Sequence, residues 1–341
     1  MNFTPKQLID QLYGPPKTSS DKKLEDFKSK NIPKPEKPKT LIEDSFENIN
    51  ISEQYKEQLQ TLKETKLIEK LPNGEYGIIG QDNKEYIVPT LDEILERMNK
   101  NIEKYNTKIE QGFTKLLIVP FAKKLYDPED NTSLTEIHKK TILDKYNNNQ
   151  LFSTNGDKLG LDTNELLWVW KEGYSQDDEN IIYFPKQFDP KNHGGKTKSQ
   201  LLQEDQLGFQ ILLLEENIDI PAEKEGQPIS NRDQLEVNLN PEEYLEKIQT
   251  EAQYQHEQGL TTEAWLTLAI THLHKHNQVI DDWKGSGKAC YNTATYFLSS
   301  SNVSRGSWNQ VRRQAVLSGF GVAFRISNCG FRPSVNIDLD P

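Results

Sequence analysis

From Val303 to Val335 the chain reads VSRGSWNQVRRQAVLSGFGVAFRISNCGFRPSV. The stretch holds no Lys, Asp or Glu, and none occurs between Lys288 and Asp338, although charged residues are 27% of the chain. Arginine supplies its only charges. Arg305-Gly306-Ser307-Trp308 sets a turn of small residues before a large aromatic anchor. Gly330-Phe331-Arg332 sets a second anchor ahead of a final strand. On composition alone the stretch also suits an ordinary β-rich core segment, so its meaning depends on what surrounds it.

At 341 residues the chain can form two domains, or one large domain with an appendage. Hydrophobic residues make up 34%, low enough that part of the chain is expected to be solvated or extended. A net charge of −11 argues against nucleic acid as a partner, because phosphate backbones demand a basic footprint. Cys290 and Cys329 are too few for a disulfide framework and lack metal-finger spacing, so two free thiols in a reducing compartment are expected. The N-terminal MNFTPKQLIDQLYG has no apolar run of the signal-peptide kind, and no stretch reaches the length of a membrane span.

Residues 1–112 read as a polar N-terminal appendage of helices and a hairpin. Pro-Lys alternation in IPKPEKPKT punctuates its charged segments. A helix is expected over Ser52–Leu71, a hairpin turning at Asn73-Gly74, and a second helix over Leu91–Gly112. Residues 113–341 read as the globular domain. FTKLLIVPF, LLWVWKEG, IIYFP and LGFQILLLEE are strand candidates. Helices are expected from Ser133 with a Glu136 capping box, over Asn240–Gln258, and from Thr261 or Thr262 through Asn277. That order gives an α+β fold without a βαβ repeat.

Few constellations suggest chemistry. His272 and His276 share a helix face, yet no third metal ligand is announced nearby, and imidazoles also suit a helix C-terminus. Gly285-Ser286-Gly287-Lys288 lacks the spacing of a phosphate loop. The two cysteines have no Cys-x-x-Cys spacing and no evident base. No catalytic residue, cofactor or metal site is assigned.

Three motifs carry a resemblance. Arg305-Gly306-Ser307-Trp308-Asn309, Arg313-x-Ala315 and Arg325-x-x-x-Cys329-Gly330-Phe331-Arg332 resemble the C-terminal signature of C-type lectin folds of the formylglycine-generating-enzyme-like subgroup. More closely, they resemble the variable region of diversity-generating retroelement target proteins, including those of archaeal viruses. Thr261-Thr262-Glu263-Ala264-Trp265-Leu266-Thr267-Leu268 is similar to the helix that precedes the variable part in that group. The likeness is strongest over Thr261–Val335 and extends back to Phe113.

The resemblance implies a C-type lectin-type domain over 113–341 with a variable region at about 309–328. Such elements randomise template adenines, so Asn codons become codons ending in pyrimidine, which exclude Lys, Glu, Gln, Met and Trp. None of those occurs from Ala315 to Asn328. The implied function is display, on a virion or host cell surface: a diversified face that recognises a ligand, expected to be a protein, by a logic like that of antibody loops. Expected contact residues are Asn309, Val311, Val316, Ser318, Gly319, Phe320, Gly321, Val322, Ala323, Phe324, Ile326, Ser327 and Asn328, with Phe320 and Phe324 as anchors. Arg305, Gly306, Trp308, Arg313, Arg325, Gly330, Phe331 and Arg332 are expected to be scaffold. Departures limit the alternatives. NQVRRQAVLS lacks the reactive cysteines of a formylglycine-generating-type oxidase, and the calcium-binding triplets of sugar-binding lectins are missing. An undiversified virion or adhesin subunit is the remaining alternative.

Overall fold

The computed structural model describes Phe46 and residues 49–174, 178–283 and 288–338, all within the unit that runs from Ile42 to Pro341. The Pro-Lys segment and the Gly285-Ser286-Gly287 turn lie outside the described residues. Helix α1 (Ile51–Glu64) starts at Asn50, whose left-handed backbone (φ 49°) redirects the chain. It buries Ile51 and Leu62. An antiparallel meander follows: β1 (Glu69–Lys70), β2 (Tyr76–Ile79) and β3 (Glu85–Ile87). The Asn73-Gly74 turn joins its first two strands, with Gly74 at φ 90°. The expected single helix over Leu91–Gly112 is two. A Thr90–Glu93 capping box opens α2 (Leu91–Lys100), and the non-helical backbone of Asn101 separates it from α3 (Ile102–Glu110).

Packing runs continuously across Gly112, where the sequence suggested a boundary. Strand β4 (Phe113–Val119) is the edge of its sheet, and the Gln54 amide of α1 completes that edge. Gln54 Nε2 donates to the Thr114 carbonyl (2.8 Å), while Leu116 N–H donates to Gln54 Oε1 (2.8 Å). One side chain thus replaces part of a missing neighbouring strand. Lys108 of α3 is buried and pairs with Glu257 at 2.7 Å. Phe46, Leu62, Ile94, Met98 and Tyr105 belong to the same hydrophobic core as β4. The first hundred residues are polar in composition, but many apolar side chains among the described ones, Phe46, Leu62, Ile94 and Met98 included, are buried in this core, which average composition does not register.

The remaining elements are α4 (Leu134–Asn147), β5 (Leu167–Val169), α5 (Lys171–Tyr174), β6 (Ile181–Tyr183), β7 (Lys196–Thr197), α6 (Lys198–Glu204), β8 (Gln210–Glu215), β9 (Pro228–Ile229) and β10 (Arg232–Asp233). After them come α7 (Pro241–Thr250), β11 (Glu257–Gly259), α8 (Thr262–His276), β12 (Asp282–Trp283), β13 (Ala289–Phe297), β14 (Asn302–Asn309), β15 (Gln314–Gly321), β16 (Cys329–Phe331) and β17 (Pro333–Asn336). Ser133 does not cap α4; its Oγ donates to the Asp127 carbonyl instead (3.0 Å). Helix α7 has the expected Asn240–Glu243 capping box and Pro241, but it stops at Thr250 rather than Gln258. Beyond it, Glu257–Gly259 pair with β17, and Glu257 is held by both Arg232 and Lys108. Tertiary pairing there overrides helix propensity.

The architecture is α+β. One sheet has the order β11-β17-β8-β4; the larger has β5-β15-β14-β13-β6-β7, with β12 alongside β14 and β16 alongside β13. Helix α8 packs against α4, α1, β4, β13 and β14, and nearly all of its residues are buried. The Thr261 hydroxyl caps its start, and left-handed Asn277 ends it. A chain shortened to begin at residue 113 loses the Gln54 edge cover and leaves Glu257 without Lys108. It is expected to melt well below the full chain or to aggregate; an unchanged melting temperature would show that residues 46–112 add nothing to the core.

Candidate ligand-binding face

Arg332, Trp308 and Trp265 of the motif segments converge on Asp281. Its backbone is left-handed (φ 52°), and its carboxylate accepts two N–H groups of Arg332 (3.0 and 2.9 Å) and the Trp265 indole N–H (2.7 Å). Its carbonyl accepts from Trp283 N–H (3.0 Å) and Trp308 N–H (2.8 Å). Arg332 also donates to the Ile218 carbonyl. Burial alone would weaken the Arg332 guanidinium's hold on its proton, but the facing Asp281 charge more than offsets this and raises its pKa. Two glycines let the frame close. A Cβ at Gly306 would lie 2.3 Å from the Trp265 indole, and one at Gly330 would lie 2.5 Å from Ile220. Trp308 is 2% exposed, and buried Phe331 stacks on Tyr244 with ring centroids 5.3 Å apart.

Sequence-expected contact residues divide into three groups. Val316 and Ser318 are buried on β15, which lies inside its sheet between β14 and β5. Val322 is buried as well. Asn309 is also largely buried, and its Oδ1 accepts Arg312 N–H (3.0 Å) to shape the hairpin turn. These four do not face outward. Val311, 72% exposed, sits on that turn with Arg312 and Arg313. Arg313, expected as scaffold, is exposed with φ 56°. The third group follows the far end of β15, roughly 25 Å away at ~3.3 Å per residue. There Ala323, Phe324, Arg325 and Ser327 are exposed, and Phe320, Gly321, Ile326 and Asn328 are half-buried. The strand therefore separates a hairpin tip from a distal patch.

The distal patch is held from below and from the side. Glu242 N–H donates to the Val322 carbonyl (3.3 Å), and Arg325, expected as scaffold, forms an exposed ion pair with Glu243 of α7. Trp283 Nε1 donates to Asn328 Oδ1 (3.2 Å). Phe320 packs against Tyr291 (5.3 Å) and meets Phe324 edge-on (6.3 Å). Phe324 is 68% exposed. The Arg305 guanidinium lies over the rings of both Trp283 (5.4 Å) and Phe320 (5.3 Å). Gly319 and Gly321 differ in kind. A Cβ at Gly319 would lie 2.3 Å from the Trp170 ring, whereas one at Gly321 would crowd the Phe324 side chain, which can swing away, and meet Asn302 Oδ1 at an ordinary 3.6 Å. Trp283, Tyr291 and Glu243 were not singled out from sequence. The unusual Trp in Ile280-Asp281-Asp282-Trp283 was the available signal for the first.

Other candidate chemistry is weakly supported by geometry. Cys329 pairs with Ala289 and Cys290 with Gly330, so the two thiols lie on opposite faces of their strands and pack into different clusters. Burial pushes the Cys290 thiol up to about 12 and raises that of Cys329. The His272 and His276 rings pack together at 4.6 Å, and burial lowers the His272 pKa to about 4. Among the described residues, no three His, Cys, Asp or Glu side chains group to hold a metal ion. No helix among them is long and apolar enough to cross a membrane.

No family model, curated protein or solved structure matches the chain. The arrangement of the face therefore stands on its own geometry. Trp308→Ala and Phe331→Ala are expected to cost ~3–5 kcal/mol each in thermal or denaturant melts. Phe324→Ala should cost under about 1 kcal/mol. Phe320→Ala should fall between them, because Tyr291 and Arg305 pack against its ring. Equal losses in all four variants would mean that the distal patch is core.

Proposed function

We propose that the chain is a ligand-binding display protein, with a C-type lectin-type domain of the formylglycine-generating-enzyme-like kind. Its C-terminal segment would be diversified by a retroelement to recognise varied protein targets. The observation that carries this is the run from Phe320 to Asn328, which is partly or fully exposed apart from Val322 and is fastened at both ends by buried residues. Leu317 precedes it; Cys329, Gly330 and Phe331 follow it. Such a segment can change side chains while its ends stay fixed, the physical requirement for a hypervariable site. An exposed aromatic at its centre is the kind of residue that dominates binding energy at interfaces.

Composition supports the same function. The segment from Ala315 to Asn328 avoids every residue that a pyrimidine-ending codon cannot encode. The motif residues Gly306, Trp308, Gly330 and Phe331 are each fixed by steric contact or burial. A central helix packed under a sheet of long antiparallel strands supports the lectin-type fold at the level of layers. The opposed, buried thiols do not favour an oxidase.

The gene itself provides the test. A near-copy of the segment, differing chiefly at adenines and lying beside a reverse transcriptase gene, is expected in the surrounding DNA. Sibling copies of the gene should differ mainly at codons 311, 320, 321, 323, 324, 326, 327 and 328, with Gly306, Trp308, Gly330 and Phe331 constant. Substitutions spread evenly along the chain would remove the diversification proposal.

A further inference from the structure

We propose that Arg305 is a carboxylate-recognition residue of the distal patch, so that the protein bound there presents an acidic side chain beside an apolar one. This rests on the display function proposed above and names the chemistry of its partner. The guanidinium lies over two aromatic rings, Trp283 (5.4 Å) and Phe320 (5.3 Å). Its Nε donates to Ser318 Oγ (3.1 Å) and its Nη1 to Cys329 Sγ (3.9 Å), a weak acceptor. A guanidinium carries five N–H donors, so about three remain, all on the Nη1 and Nη2 edge.

The other arginines packed about the frame are already neutralised. Arg232 pairs with Glu215 and Glu257, Arg332 with Asp281, and Arg325 with Glu243. Arg305 has no such carboxylate partner among the described residues, and it is half-buried. The absence of Asp and Glu between Lys288 and Asp338 keeps a competing carboxylate out of the segment. The free edge of the fork matches the two oxygens of a carboxylate. Its contacts with both rings and the Ser318 hydrogen bond restrict the side chain, so less side-chain entropy remains to be lost on binding. Phe324, edge-on to Phe320 and mostly exposed, offers the adjoining apolar contact. Arg305 is thus an unmatched cation on a chain of net charge −11, and it favours an acidic partner by complementarity. Because Arg305 lies in a fixed motif, it would give every variant of the segment one shared polar anchor.

Benzoate is the probe, with benzamide as its neutral isostere, titrated into the full chain labelled at arginine nitrogen. Benzoate is expected to shift the Arg305 Nε–Hε resonance and the Phe320 and Phe324 ring resonances saturably. Benzamide should bind at least about tenfold more weakly, as loss of a charge-assisted pair requires. Arg305→Lys keeps the charge but loses the planar fork, and should weaken benzoate by about the same factor. Equal binding of benzamide, or shifts at Arg312 and Arg313 without Arg305, would overturn the assignment. So would an absence of benzoate binding. If Arg305→Lys fails to fold, the benzoate-to-benzamide ratio on the unaltered chain decides alone. None of these failures touches the display proposal, which the gene copies test separately.

Discussion

The buried pair of Asp281 and Arg332 is the constraint on which the rest of the domain depends. One carboxylate takes N–H groups from Arg332 and from Trp265, and the same residue's carbonyl takes the backbone N–H groups of Trp283 and Trp308. Helix α8, strands β12 and β14, and the junction of β16 with β17 therefore meet at a single residue. Removing either charge would strand the other in a site that excludes water, at a cost of about 3–5 kcal/mol. The pair also fixes direction, since a bidentate guanidinium accepts only one approach.

That frame explains why the motif residues tolerate little. Trp265 lies flat against β14 only because Gly306 has no side chain, and β16 reaches Ile220 only because Gly330 has none. Trp308 and Phe331 then fill the space on either side. The residues between these anchors are of two kinds. Gln314–Leu317 belong to an interior strand and are as constrained as the motifs. Beyond Gly321 the chain leaves the sheet, and from Phe320 to Asn328 only Val322 is fully buried. Buried frame residues and exposed side chains thereby lie a few residues apart, and on the proposed function the exposed ones would carry recognition.

Much of this was legible in the sequence. The strands at Phe113, Leu167, Ile181 and Gln210 announced themselves by apolar runs, and Thr261 and Asn240 by capping chemistry. The anchors Trp308, Gly330, Phe331 and Arg332 were readable as scaffold. Phe324, expected on the outward face, is exposed. Asp281 was not legible, because a lone Asp in an acidic chain carries no pattern, and its importance comes entirely from what folds around it. The inward turn of Val316 and Ser318 was hidden for a similar reason. Nothing local reveals that β5, some 150 residues earlier, pairs along β15. Gln54 patching the edge of β4 is another long-range contact, and it joins the polar N-terminal part to the core that composition had separated from it.

The central claim is that the frame carries the stability and the exposed positions are free to vary. Two libraries of the full chain measure this directly, using codons that end in pyrimidine. One randomises Val311, Ala323, Phe324 and Ser327; the other randomises Gly306, Trp308, Gly330 and Phe331. Survival under protease, read by sequencing, gives the folded fraction of each. Most members of the first library should survive as well as the parent, and almost none of the second. Comparable losses from both libraries would contradict the separation of frame from face.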